Sequence, residues 1–167
     1  MFFVNARAFI ERIRNNRLQL VIQTRNKAGE LELLELPGGR LELFEPILEG
    51  LKREVFEETG LKVTQVDGEE TRIDTKGINH SFEVECIRPF CVYQTVKGPI
   101  DSTGMYFICS SEGELLEAGD DTKRVHWRDI EEIKEMLEEN PLYFSDVDRA
   151  GLIYYFKHRF FSGAADS

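Results

Sequence analysis

Between Gly39 and Leu61 the chain reads GRLELFEPILEGLKREVFEETGL, which crowds Glu54, Glu57 and Glu58 onto little more than one helical turn. Carboxylates turned toward a protein body lose hydration and repel one another, so one of them must protonate or a cation must sit among them. Oxygen donors of this kind suit a hard divalent ion, Mg²⁺ or Mn²⁺, which keeps several waters and shares substrate phosphates. No His or Cys stands close by in sequence to argue for zinc. Arg53 directly precedes Glu54, has Glu57 four residues on and Glu45 eight residues back, so its planar fork can orient a carboxylate from behind the ligands.

Which way these side chains point depends on the helix that carries them. Pro46 suits a first helical position and Thr59-Gly60 a carboxy-terminal stop, which predicts a helix from about Pro46 to Thr59. At about 100° per residue, Ile47, Leu48, Leu51 and Val55 share one apolar arc, with Glu54 and Glu58 inside it or at its margin and Glu57 beside them. A solvated charge face would lie opposite. Asp129 to Glu139 shows that ordinary case: Ile130, Ile133, Met136 and Leu137 line one face while Glu131, Glu132, Glu135, Glu138 and Glu139 occupy the remainder.

Gly39, Glu45, Arg53, Glu54, Val55, Glu57, Glu58, Gly60 and Leu61 fill every specified position of the pattern Gly-x5-Glu-x7-Arg-Glu-aliphatic-x-Glu-Glu-x-Gly-aliphatic. That pattern resembles the Nudix box, and Leu36-Pro37-Gly38-Gly39 resembles the approach to it. Even with this chain's acidic composition, a chance match to all nine positions is on the order of one in a million. Phe44, Pro46 and Gly50 stand where many members carry Gly, Ser and Ala, at positions the pattern leaves open; Gly50 costs some helix stability.

The resemblance, to MutT-like Nudix hydrolases, implies an α/β fold, an α/β/α sandwich around a mixed sheet. It implies a pyrophosphohydrolase for a nucleoside diphosphate linked to another group, dependent on divalent metal. Glu54, Glu57 and Glu58 are the implied metal ligands, with the carbonyl of Gly38 as a further one. A glutamate cluster would repel a diphosphate unless bound cations reversed the local field, so the residues and the implied reaction agree. For the general base, Glu54 is the candidate within the helix. Asp121, or its neighbour Asp120, resembles a carboxylate that many members bring from a loop ahead of a Trp-containing strand, here Val125-His126-Trp127. Gly119-Asp120-Asp121 is equally an ordinary turn. A non-catalytic Nudix-fold nucleotide-binding or regulatory module is the alternative, and an isomerase of diphosphate esters would need acid-base residues that are not evident. Neither the Pro nor the Tyr associated with ADP-sugars or dinucleoside polyphosphates is evident downstream, where Thr75, Lys76, Gly77 and Ile78 stand.

The rest of the chain bounds this reading. Its 167 residues, 41% hydrophobic, suit one domain over residues 1–161 and a small, polar, disordered tail over 162–167. A net charge of −10 argues against long nucleic acid and anionic membranes, leaving a small nucleotide as the expected partner and a homodimer as an allowed assembly. Cys86, Cys91 and Cys109 have no metal spacing and read as reduced core residues; with no signal-like start and no apolar run of membrane length, the expected location is cytoplasmic.

Strands are expected over Ala6 to Arg14 and Leu18 to Thr24 around an Asn15-Asn16 turn, then at Leu61 to Val66, Ser81 to Ile87, Pro89 to Val96 and Met105 to Cys109. Asp67-Gly68, Lys97-Gly98-Pro99 and Ser102-Thr103-Gly104 read as joints. A last helix over about Asp146 to Phe160 has Ser145 as cap, with Asp148 completing a capping box. His80, His126 and His158 are scattered. Phe90, Tyr93, Tyr106 and Phe107 could stack on a base but read first as core, and Arg25, Lys27, Arg40, Arg72 and Lys97 are candidate phosphate holders that read first as surface charge.

Overall fold

The computed structural model describes residues 1–25, 32–117 and 124–159. Two long strands, β1 (Phe2–Arg14) and β2 (Arg17–Arg25), form a hairpin through Asn15 and Asn16, both at positive φ (54° and 61°), the backbone such a two-residue turn demands and Asn tolerates. β3 (Leu33–Glu35) adds to β2 and β4 (Gly38–Arg40) adds to β1. Helix α1 (Ile47–Thr59) leads to β5 (Lys62–Val66), then a two-stranded ribbon of β6 (Ile73–Asp74) and β7 (Glu85–Cys86), then β8 (Cys91–Gln94) and β9 (Asp101–Glu112). β10 (Arg124–Asp129), α2 (Ile130–Glu139) and α3 (Asp146–His158) complete the fold.

The main sheet runs β10-β2-β1-β9-β5, with β3, β4 and β8 joined at its flanks; β1 and β9 are parallel and the other pairs antiparallel. Strand alternation sends the two faces into two cores. Ala6, Ala8, Ile10, Val21 and Phe107 pack with Leu51 and Val55 of α1, while Phe9, Leu20, Ile22, Tyr106 and Ile108 pack with α2 and α3 through Ile133, Leu152 and Tyr155. The expected α/β/α layering around a mixed sheet is therefore observed. The five glutamates of α2 are exposed, while Ile133 and Leu137 are buried.

Several expectations require correction. Pro37-Gly38-Gly39 has the composition of a loop, yet Gly38 and Gly39 lie in strand β4, paired antiparallel with β1, and the Gly38 N–H that points away from β1 is taken up by Glu58. Ser102, Thr103 and Gly104 lie inside β9, which is far longer than its apolar stretch because β1 and β8 flank it. Of Ser81 to Ile87 only Glu85–Cys86 is strand, and Pro89 to Val96 shrinks to Cys91–Gln94. Pro46 is the N-cap of α1 and offers no side-chain cap; Glu85 of the ribbon instead accepts from Ile47 N–H at 2.8 Å. Gly60, at φ 78°, stops α1 as expected, its N–H donating to Phe56 O. Cys109 is buried but Cys86 is exposed and Cys91 half-buried, so the three do not form a common core; all are free. Lys27, Asp120, Asp121, Phe160 and the tail 162–167 lie outside the described residues.

Asp148 is the largest departure. It forms no capping box: it is fully buried and its carboxylate collects partners from four parts of the chain. Arg7 of β1 donates through Nε (2.8 Å) and Nη2 (2.9 Å), Leu36 N–H donates at 2.9 Å, the Tyr106 hydroxyl of β9 at 2.6 Å and Ser145 Oγ at 3.1 Å. Arg7 Nη2 also reaches Leu36 O at 2.6 Å. Gly151 lets α3 come down on Tyr106, since a Cβ there would stand 2.6 Å from the ring.

Removing one partner of a buried pair leaves the other charge stranded. Asp148→Ala is expected to cost about 3–5 kcal/mol in urea unfolding, whereas Asp146→Ala, at an exposed side chain two residues away, should stay within about 0.5 kcal/mol.

Candidate active site

The box residues meet at the edge formed by β4. Gly39 packs beneath α1 so closely that a Cβ would lie 2.5 Å from Glu54 Oε2, which explains why this position carries no side chain. Gly38 N–H donates to Glu58 Oε1 at 2.9 Å. Glu54 and Glu58 therefore flank the Gly38-Gly39 backbone on the α1 face of the sheet, the inward direction read from the helical arc. Glu57 stands at the margin with its side chain 57% exposed.

Arg53 organises this edge. Its guanidinium clamps Glu45 through two bonds (Nε to Oε2 2.8 Å, Nη2 to Oε1 3.0 Å), reaches Glu54 at 2.9 Å and Glu57 at 3.3 Å, and donates to Arg40 O at 3.2 Å. Gly50 has a reason too: a Cβ would collide with Leu41 and approach Glu45 Oε1 to 2.7 Å, so the missing side chain admits the 41–45 loop against the helix. Phe44 at the tip of that loop adopts φ 62° and is exposed.

The electrostatics differ between neighbours. The Arg53 fork and the Glu42 N–H hold the Glu45 carboxyl down at about 2. Burial pushes the Glu54 carboxyl upward; Arg53 opposes this, and repulsion from Glu58 and Glu57 adds to it. In this arrangement no group of three or more His, Cys, Asp or Glu side chains among the described residues is set to hold a metal ion. The donor chemistry nonetheless fits a hard divalent cation: carboxylates alone, one of them partly buried with its proton affinity raised by that burial and further by Glu58 and Glu57, which is the strain a cation relieves.

Gln23, unremarked in the sequence, bridges this site to β3. Its Nε2 donates to Glu58 Oε2 at 2.6 Å and to Glu35 Oε1 at 3.1 Å, and its Oε1 is buried without a hydrogen-bond partner. The available signal was a polar residue on an inward-facing strand position. His126 is partly buried on β10, and burial pushes its imidazole down, while His80 and His158 are exposed. Tyr106 and Phe107 are core, as read.

A cavity of about 510 Å³ opens on the opposite face of the sheet, between β1, β8, β9 and α3. Successive residues of a strand point to opposite faces, so while Gly39 underlies Glu54, Arg40 enters the cavity wall and stacks on Phe3, 3.4 Å from the ring centroid. Its guanidinium meets no carboxylate among the described residues. Lys97 also lines this cavity, whereas Arg72 is engaged by Asp74 and Glu85, so only some of the candidate phosphate holders are brought together.

The NUDIX domain family matches residues 4–146, which span the box, the sheet and the cavity floor. The chain belongs to the Nudix family. With its box complete, it is a Nudix-type hydrolase. Solved structures agree in fold: a MutT NUDIX hydrolase from Burkholderia pseudomallei is 18% identical, with 92% of this chain and 98% of that one covered and a TM-score of 0.60. The NUDIX domain of Shewanella oneidensis NrtR, solved with ADP ribose, is 11% identical, with 94% and 88% covered and a TM-score of 0.65. The MutT protein from Bacillus halodurans is 20% identical, with 93% and 80% covered and a TM-score of 0.57. No curated protein matches the chain by sequence. Among the described residues no helix is long and apolar enough to cross a membrane.

Glu45 generates a pH prediction. Its folded value lies below the unfolded one, so its contribution to stability is complete above the unfolded value and disappears as pH falls toward the folded one. Stability of the Nudix chain should therefore drop between about pH 4.5 and pH 2, and Glu45→Gln should flatten that part of the profile in pH-dependent thermal unfolding.

Proposed function

We propose that this Nudix hydrolase uses divalent metal to cleave a pyrophosphate bond in a nucleoside diphosphate linked to another group. The observation that carries this reading is the β4 edge, where Glu54 and Glu58 flank Gly38-Gly39 on one face while Arg40 enters a cavity on the other. A substrate can then place its diphosphate at the edge and its non-reacting part in the cavity.

Glu54, Glu57 and Glu58, with the Gly38 carbonyl, would hold Mg²⁺ or Mn²⁺. The ion would neutralise phosphoryl charge and acidify an attacking water. Arg53 keeps Glu54 and Glu57 oriented and, through Glu45, ties the helix to the 41–45 loop. Arg40 brings an unneutralised guanidinium to the same edge, suited to a phosphate oxygen. Water adds across the P–O–P bridge, its oxygen joining one phosphorus while the bridging oxygen leaves with the other. The water proton passes to a carboxylate, with Glu54 the candidate on the helix and Asp121 the candidate from the loop. The same reading has the domain over 1–161, and a cytoplasmic setting in keeping with three unpaired cysteines.

A panel of nucleoside triphosphates, nucleotide sugars, dinucleoside polyphosphates and ADP ribose with Mg²⁺ or Mn²⁺ tests the reaction. Turnover of at least one class is expected, with Glu57→Gln and Glu58→Gln each reducing kcat more than about a hundredfold and Arg53→Lys reducing it about 10–100-fold. Wild-type inactivity with tight nucleotide binding would favour the non-catalytic module instead.

Metal binding has its own readout. Because the Glu54 carboxyl is raised, its charged form is disfavoured in the metal-free fold and its contribution to stability falls as pH rises through that value. Mg²⁺ or Mn²⁺ should therefore raise the melting temperature more at neutral pH than near pH 5. Equal stabilisation of wild type and the Glu57→Gln, Glu58→Gln double variant would show that the ligands are wrongly assigned.

A further inference from the structure

The ribbon of β6 and β7 turns its polar face inward and its apolar face to solvent. Its register pairs Ile73 with Cys86 and Asp74 with Glu85, and Thr75 N–H donates to Val84 O at 3.0 Å. Cross-strand partners share a face and successive residues alternate, so Ile73, Thr75, Val84 and Cys86 line one face while Arg72, Asp74 and Glu85 line the other. The polar face is the inner one. Glu85 accepts from Ile47 N–H at the start of α1 and from Arg72 Nε, both at 2.8 Å, and Arg72 Nη1 reaches Asp74 at 2.9 Å. Ile87, next after Cys86, turns back to the core beneath α1.

The outer face has no such partners among the described residues. Ile73 is 60% exposed and Val84 49%, with Cys86 exposed beside them, and Ile78 and Phe82 at the ribbon tip are 81% and 71% exposed. Single apolar residues on a surface are ordinary, but several gathered on one short hairpin mark an interaction site.

Charge identifies what covers it. Between Thr71 and Arg88, three basic residues (Arg72, Lys76 and Arg88) balance three acidic ones (Asp74, Glu83 and Glu85), in a chain whose net charge is −10. A basic partner would be drawn to the acidic surfaces elsewhere, and the whole chain repels nucleic acid or an anionic membrane. Two copies of this acidic chain repel each other least where each presents a neutral, apolar surface. The ribbon is such a surface.

We propose that the chain forms a symmetric homodimer by packing the outer faces of two β6-β7 ribbons against each other. The two-fold axis passes between the ribbons, so Ile73, Val84 and Cys86 of one copy meet the same residues of the other, as an isologous interface requires. Two faces of this length bury on the order of 1,000 Å² in total, at the low end for specific association, so the dimer has micromolar affinity. Because Glu85 on the back of the same ribbon holds the first turn of α1, dimerisation also steadies the element that caps the box helix. The proposal goes beyond the hydrolase reading and does not depend on it.

Sedimentation velocity of the full chain from about 1 to 100 µM should show a monomer giving way to a dimer. Val84→Lys and Ile73→Lys each set like charges across the axis and should weaken dimerisation about tenfold or more. Leu142→Lys, at an exposed apolar residue outside the ribbon, should not. At the dilute end all three variants should melt as the wild type does, since the replaced side chains are exposed. A bismaleimide cross-linker should join two wild-type chains in the dimer range, and Cys86→Ser should abolish the link. A chain that stays monomeric over the whole range overturns the proposal. So does a dimer that tolerates both ribbon lysines, because its interface then lies elsewhere, and so does one cross-linked equally well after Cys86→Ser. Hydrolysis by a strictly monomeric chain would overturn this proposal and leave the proposed reaction standing.

Discussion

The buried pair of Arg7 and Asp148 is the constraint on which both halves of the site depend. A fully buried carboxylate is tolerable only when its lone pairs are filled, and here two guanidinium bonds, a phenol, a serine hydroxyl and the Leu36 N–H fill them. Because Leu36 is held by both its N–H and its carbonyl, the following Pro37-Gly38-Gly39 backbone is delivered to β1 in one register. The same pair brings α3 against β1 and β9, which closes the cavity over Asn5 and Tyr93. One ion pair thus positions the glycines below the glutamates and the helix above the cavity.

Charge at the other face is arranged on a different principle. Arg53 gives its best geometry to Glu45, a residue outside the acidic cluster, and reaches Glu54 and Glu57 with the remaining donor. The result separates two carboxylates held by one guanidinium: Glu45, in the loop before α1, is kept charged, while Glu54, partly buried and facing Glu57 and Glu58, resists losing its proton. A site that neutralised all its acids internally would have nothing to offer a cation. The fork prevents collapse of the cluster without quenching it.

Much of this was legible in the sequence because it rests on local periodicity. The α1 arc, its Gly60 stop, the Asn15-Asn16 hairpin and the solvated glutamates of α2 follow from residues a few positions apart, and the inward turn of Glu54 and Glu58 follows from the same helical angle. The errors share a different cause. Gly38-Gly39 and Ser102-Thr103-Gly104 look like turns because Gly and Ser favour turns locally, yet neighbouring strands supply enough hydrogen bonds to override that preference. Asp148 stands where a capping box would place it, but a carboxylate pairs with whatever donors the fold brings near, and Arg7 is 141 residues away in the chain.

The sequence by itself determined the family and the helix that carries the acidic cluster, since nine residues at fixed spacing define the box and five of them lie on that helix. Tertiary structure decided what each remaining residue does. Whether Arg40 is a surface charge or a wall of the cavity, whether Gly104 is a joint or a gap for Tyr93, and whether Gln23 is core or a link to Glu58 depend on strand neighbours far away in the chain. Sheet registry sets those neighbours, and registry comes from pairing over long separations that no local spacing encodes.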